Sequence, residues 1–110
     1  MSICPNLEYA FQILGKKWNG YILHFLSTEQ EMRASFNDIK NGVTNITPKA
    51  LSACLQDLTS YSLVSKIVKP TTPVYITYEL TEKGAALVVA LRPIQQWAYY
   101  FLKEDEKDDK

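Results

Sequence analysis

The chain has 110 residues, 46% of them hydrophobic and 22% charged, and its 12 basic residues balance 12 acidic ones. That length makes one domain of ordinary size, able to bury a real core but not a second one. Its apolar runs are only a few residues long, which excludes a membrane span, and the start Met1-Ser2-Ile3-Cys4-Pro5 lacks the basic and apolar regions of a signal peptide, so a cytoplasmic protein is expected.

Leu7, Ala10, Phe11 and Leu14 fall at i, i+3, i+4 and i+7, so a first helix opens near Pro5 and ends at Gly15. Trp18, Tyr21, Ile22, Phe25 and Leu26 repeat the pattern in a second helix from about Lys17. Ser27 to Glu31 is polar and reads as a loop, and Met32 to Ala34 as a short extended piece that pairs with a later hairpin. A short helix then runs from about Ser35 to Asn41. Ser35 and Asp38 resemble a capping box, and Gly42 suits a left-handed stop. Thr47 can cap the next helix, and Pro48 at its first position has its φ already set. Leu51, Cys54, Leu55 and Leu58 form its apolar stripe, while Lys49, Ser52, Ala53, Gln56 and Ser60 lie opposite.

Two short helices in this order match a helix-turn-helix, whose second helix enters the major groove. Val64, Ile67 and Val68, then Val74, Ile76 and Thr77, supply two β-branched strands around the break Lys69-Pro70-Thr71-Thr72-Pro73. Val74, Ile76, Tyr78 and Leu80 alternate with Tyr75, Thr77 and Glu79, which predicts one buried face and one wet face. A hairpin directly after a recognition helix reads as a wing. Thr81 can cap a last helix through Leu87, Val88, Leu91, Ile94, Trp97, Ala98 and Phe101, which Pro93 should kink or divide near Arg92. The expected organisation is one domain over residues 1–103 and an acidic, disordered tail over 104–110.

These residues carry a family resemblance. Cys4-Pro5, then Ile13-Leu14-Gly15-Lys16-Lys17-Trp18 with Ile22-Leu23, then Tyr78-Glu79-Leu80-Thr81-Glu82-Lys83-Gly84 resemble the HxlR-type winged-helix transcriptional regulators of the broad MarR-like group. Phe36-Asn37-Asp38-Ile39 and Leu63-Val64 fall at the spacings that family uses, and Trp97 matches a family aromatic. The resemblance covers roughly Cys4 to Trp97. It implies a mainly α fold with a small β-hairpin wing, a winged helix-turn-helix with extra N- and C-terminal helices that form a homodimer. The chain departs from the family at Ala53, Cys54 and Gln56, where members often carry basic or longer polar residues, and at Tyr75, where the wing often has Arg.

The expected partners are double-stranded DNA and a second copy of the chain. The net charge is zero, but residues 104–110 hold five acids and two bases, while Arg33 to Lys69 holds five bases and two acids. The reading region is thus locally basic, as phosphate contact requires. Candidate DNA contacts are Thr47, Pro48, Lys49, Ser52, Ala53 and Gln56 on the recognition helix, Lys40, Thr44 and Asn45 before it, and Lys66, Lys69, Thr71 and Thr72 on the wing. Solvated surface is the alternative reading of each. Leu7, Ala10, Phe11, Leu14, Leu91, Ile94, Trp97, Ala98 and Phe101 are the expected dimer interface, because the terminal helices carry more apolar surface than a small core covers.

Cys4 reads either as a packing residue before the helix-opening proline or as a redox or electrophile sensor, a role the resemblance implies because some members sense through a cysteine in this position. Lys16 or Lys17 nearby would favour its thiolate. Cys54 reads as core. With one His, and with two cysteines outside any CxxC pair, no structural zinc site and no other cofactor is expected. No nucleophile–base pair and no phosphate loop is visible, so no enzyme is expected. Three classes remain: a DNA-binding regulator, a redox-switched version of it, and a winged helix used only for protein contacts. Salt-dependent DNA binding separates the third from the others, and oxidant sensitivity separates the second from the first.

Overall fold

The computed structural model describes residues 4–108, with side chains to residue 106. Five helices surround a small sheet: α1 (Pro5–Leu14), α2 (Lys17–Thr28), α3 (Phe36–Gly42), α4 (Pro48–Ser60) and α5 (Glu82–Asp108). The strands β1 (Arg33–Ser35), β2 (Val64–Lys69) and β3 (Tyr75–Leu80) form an antiparallel sheet in the order β1-β3-β2. This is a winged helix-turn-helix. The short strand expected before the third helix is β1, one residue later than predicted, with Ala34 opposite Tyr78.

The local signals act as their chemistry dictates. The Ser35 hydroxyl accepts from the Asp38 amide at 3.1 Å and the Asp38 carboxylate accepts from the Ser35 amide at 3.4 Å, so the capping box closes with Asp in place of Glu. Thr47 caps α4 by accepting from the Ala50 amide at 3.1 Å. Thr81 accepts from the Gly84 amide at 3.0 Å and donates to the Ser62 carbonyl at 2.6 Å, which ties the start of α5 to the end of α4. Between α3 and α4 the chain turns through Asn45 at φ 70°, a left-handed position that Asn tolerates.

The core is Ile22, Leu23 and Leu26 of α2, Ile39 of α3, Leu51, Leu55 and Leu58 of α4, and Leu63, Val64, Leu80 and Val88. The stripe predicted on α4 is the buried one, with Cys54 at its half-buried edge. In α1 only Ile13 is buried, and Leu7 and Phe11 are exposed, so that stripe is not part of the core. The amphipathic reading of α2 needs correction. In α2 the buried face is Asn19, Ile22, Leu23 and Leu26, and Tyr21 is exposed. The face is turned toward Asn19, whose amide NH2 donates to the Ile13 carbonyl at 2.9 Å and to the Asp57 carboxylate at 3.0 Å.

Four further expectations change. Ser27 and Thr28 belong to the last turn of α2 and not to a loop, their hydroxyls donating back to the His24 and Phe25 carbonyls. Gly42 has no left-handed φ; it is the last residue of α3, and a Cβ there would overlap the Phe25 ring. Pro93 lies inside a continuous α5 and does not divide it. A proline removes its own N–H from the helix ladder and crowds the carbonyl four residues before it, and Pro93 does so at an exposed position. Helix α5 also runs through Asp108, into the segment 104–110 where a disordered tail was expected. Glu and Lys are good helix formers, and extending an existing helix avoids the nucleation cost. Residues 109 and 110 of that tail lie outside the described residues.

Candidate nucleic-acid interface

Helix α4 buries Leu51, Leu55 and Leu58 and so must turn its other side outward. Lys49, Ser52, Ala53 and Gln56 are all exposed there, as are Thr47 and Pro48 at its start and Thr44 and Asn45 in the preceding turn. Lys40 is half-buried on the last turn of α3.

The hairpin does not have the simple inner and outer faces predicted for it. Burial instead falls along its length, from Val64 and Leu80 at the root to Val68 and Val74, which are 53% and 60% exposed near the tip. The tip projects beyond the core, so alternation no longer selects a dry side. Thr77, expected on the wet face, is buried where Ser35 of β1 pairs with it. Lys69, Thr71 and Thr72 are exposed at the tip, where the Thr71 hydroxyl donates to the Pro73 carbonyl at 2.8 Å.

Lys66 is not at the tip. It pairs with Tyr78 at the root of the sheet, and the two line a cleft of about 530 Å³ whose other wall is α4, including Ser52 and Gln56. The structure therefore brings Lys66, Ser52 and Gln56 together and sets Lys69, Thr71 and Thr72 apart from them. Sequence reading missed Tyr78 and Thr59 as members of this cleft. The available signal was a lysine alternating with Val64 and Val68 on one strand face.

Ion pairing sharpens the local charge. Arg33 is held by Glu79 at 3.2 Å and Glu31 at 3.7 Å, and Asp57 by Lys16 at 3.2 Å on the side of α4 that meets α2. Lys40, Lys49, Lys66 and Lys69 form no ion pair among the described residues. The reading region thus keeps four uncommitted cations, and the one carboxylate of α4 is neutralised away from its exposed face.

The helix-turn-helix geometry and basic face are those of a DNA reader, and comparison with known proteins names the group. The HxlR-like helix-turn-helix family model matches residues 13–106. The chain belongs to the HxlR-like helix-turn-helix family. It is a transcriptional regulator of helix-turn-helix type and not an enzyme. Among its relatives, the regulator YodB of Bacillus subtilis is 39% identical over 100 residues, 91% of this chain and 87% of YodB. The reduced form of YodB superposes with a TM-score of 0.77 at 39% identity, covering 88% of this chain and 92% of that one. YodB has also been solved treated with diamide (TM-score 0.75, 39% identity, 92% and 97% covered) and bound to quinone (0.74, 36%, 89% and 99%). The redox regulator HypR in its oxidised form matches with a TM-score of 0.77 at 25% identity, over 88% of this chain and 96% of that one.

Away from the reading face, the family's terminal helices leave a second surface. Leu7 and Phe11 of α1 and Ile94, Trp97 and Phe101 of α5 are 43–65% exposed, with Ala98 exposed beside them. Ala10, Leu14 and Leu91 are half-buried. Phe11, Leu14, Tyr21, Leu91 and Ile94 line a largely apolar cleft of about 580 Å³ between α1, α2 and α5, with the exposed His24 at its edge.

Cys4 is exposed at the N-cap of α1, where its carbonyl accepts from the Glu8 amide at 3.0 Å and its side chain makes no capping bond. The lysines invoked to favour its thiolate are elsewhere. Lys16 and Lys17 follow α1, ten residues or about 15 Å from its start. Lys16 pairs with Asp57, and Lys17 sits 4.3 Å over the Trp18 ring. Cys54 is half-buried; burial first, then the Asp57 charge, raise its thiol pKa, against a smaller lowering by Lys16. No helix among the described residues is long and apolar enough to cross a membrane, and no group of three or more potential metal ligands occurs among them.

Proposed function

We propose that this regulator is a cytoplasmic homodimer that binds a pseudo-palindromic operator, with α4 of each copy in a major groove and each wing tip on the flanking backbone. The observation that carries it is the exposed polar face of α4, which bears Lys49, together with Lys40 on α3 and Lys66 and Lys69 on the hairpin, all four without ion-pair partners among the described residues. Thr47, Pro48, Lys49, Ser52, Ala53 and Gln56 form the reading face, with Lys40 and the amides near Thr44 and Asn45 on phosphate and Lys66, Lys69, Thr71 and Thr72 on the backbone or the minor groove. The uncovered apolar stripes on α1 and α5 support two-fold pairing, since such patches on one domain mark interfaces. Two recognition helices related by a two-fold axis read half-sites about 34 Å apart, roughly 10 bp, or a multiple of that.

The test is binding to promoter DNA across a salt series. Affinity should fall steeply, with a log–log slope of about −0.9 for each phosphate neutralised. Flat binding across the series, or none on any promoter fragment, would leave a winged helix used for protein contacts.

A redox-switched version of the same regulator is favoured by a specific pair of observations. Cys4 is exposed at the head of α1, and the 39% identical YodB has been solved reduced, treated with diamide and bound to quinone. In this reading, oxidation or alkylation at Cys4 moves α1, and through the dimer interface changes the spacing of the recognition helices. Cys4→Ser should keep DNA binding and lose the response to diamide or quinone. Equal DNA affinity of the wild type before and after treatment would leave Cys4 an exposed residue at the head of α1 with no sensing role, and not the packing residue of the alternative reading.

A further inference from the structure

We propose that the cleft between α4 and the β2–β3 sheet is a seat for one backbone phosphate of the DNA, held by the Lys66 ammonium and the Tyr78 hydroxyl. The inference rests on the DNA-binding reading above and assigns a contact residue, Tyr78, that lies on neither the recognition face nor the wing tip.

Register puts the two groups side by side. Lys66 and Tyr78 are cross-strand partners, on the same sheet face as the buried pair Val64 and Leu80. Residues directly opposite in an antiparallel pair have Cβ atoms about 5 Å apart, close enough for their side chains to grip one group. This sheet face packs on α4 at the root; one step outward it opens into the cleft, and the strand carries a lysine there instead of another valine.

The donor inventory selects an anion. No carboxylate lines the cleft. Lys66 has no ion-pair partner, and Tyr78 has no side-chain hydrogen bond, among the described residues. Thr59 and Ser60 each donate to a carbonyl of their own helix at 2.6 Å, so their protons are already used. Among the described residues, Lys66, Tyr78, Ser52 and Gln56 remain as donors without a partner around a space that no carboxylate lines. A phenol is a protonated donor at neutral pH, and burial moves that of Tyr78 further in the same direction. Hydrogen bonds from a cation and a hydroxyl to a phosphate oxygen are the strong, charge-assisted kind.

Continuity selects the source of the phosphate. Ser52 and Gln56 belong both to the cleft and to the exposed face of α4. When that face lies in a major groove, the strand bordering the groove passes alongside the helix, between it and the sheet. A phosphate contact there fixes the register of α4 without reading sequence.

The experiment uses the full chain, a duplex enriched by it from a randomised pool, and a scrambled duplex of the same length. Lys66→Gln and Tyr78→Phe should each weaken binding by about tenfold, the scale of one hydrogen bond to a charged group. The loss should be equal on both duplexes, because a phosphate contact is blind to sequence. Lys66→Gln should also lower the salt slope by about 1, and Lys66→Arg should restore it. Replacing single phosphates of the enriched duplex by neutral methylphosphonates should reveal one position per half-site that matters to the wild type and not to Lys66→Gln. Both variants should unfold at the wild-type temperature, since Lys66 is exposed and Phe keeps the Tyr78 ring.

Unchanged affinity and slope in Lys66→Gln would overturn the seat while leaving the DNA-binding reading intact. Loss confined to the enriched duplex would overturn it in favour of a base contact. Saturable binding of inorganic phosphate that depends on Lys66, at ionic strength held constant with chloride, would make the cleft a small-anion site instead. A pool that yields no enriched duplex would overturn the DNA-binding reading itself.

Discussion

Gly42 ends α3 against the face of Phe25, and the contact leaves no room for a methyl group. Gly42→Ala must push an aromatic ring that itself packs on the core, so urea denaturation should show a loss of about 1–3 kcal/mol, the usual cost of overpacking. The cysteines differ in a way that alkylation can read. Cys4 is exposed, whereas Cys54 is half-buried on the stripe that α4 turns inward. Burial holds the Cys54 thiol protonated beyond the pH at which an unfolded thiol ionises. Its contribution to stability is therefore complete below the unfolded thiol's pKa and is lost as pH rises through the higher folded value. Iodoacetamide at mildly alkaline pH should label Cys4 first, with Cys54 protected until the protein is unfolded. Peptide mass mapping over time checks the order, and equal labelling of both in the folded protein would contradict it.

At the scale of elements, the recognition helix is tied to the α1–α2 junction by polar groups as well as by packing. The Asp57 carboxylate accepts from the Asn19 amide at 3.0 Å and from Lys16 at 3.2 Å, while the same Asn19 amide group reaches the Ile13 carbonyl at 2.9 Å. Asn19 is completely buried and its side-chain oxygen has no partner among the described residues, so the inward link is made by the amide donors alone. Asp57→Ala removes one acceptor from a buried donor, which should cost about 1–3 kcal/mol in chemical denaturation. The ion pair with Lys16 adds little to that, because Lys16 is largely exposed to solvent. If Asp57→Ala is as stable as the wild type, Asn19 has found another acceptor.

At the scale of the whole molecule, the two surfaces are set apart by chemistry: four lysines on α3, α4 and the hairpin, unpaired among the described residues, and aromatic and aliphatic groups along α1 and α5. The Trp97 and Phe101 rings meet at a tilt, 5.6 Å between centroids, and are 65% and 43% exposed, so they support the monomer fold little. Trp97→Glu or Phe101→Glu should leave the far-UV circular dichroism unchanged. Either should shift the sedimenting species toward the 12.6 kDa monomer at micromolar concentration and weaken operator binding with it. A wild type that sediments only as monomer would remove the basis for two-fold recognition.

What the sequence determined by itself was local: the caps at Ser35, Thr47 and Thr81, the inward stripe of α4, and the order helix, turn, helix, hairpin. Each depends on groups within a turn or two of one another, so spacing reports it. The tertiary structure decided what depends on neighbours distant in the chain. It decided that α2 buries Asn19, because the acceptors it needs come from Ile13 and Asp57. It decided that α1 gives the core Ile13, a residue outside the stripe its spacing marks, with Leu14 half-buried against it. It placed Lys66 opposite Tyr78 and against α4, since register across a hairpin and packing across a core are not written in the spacing of either strand.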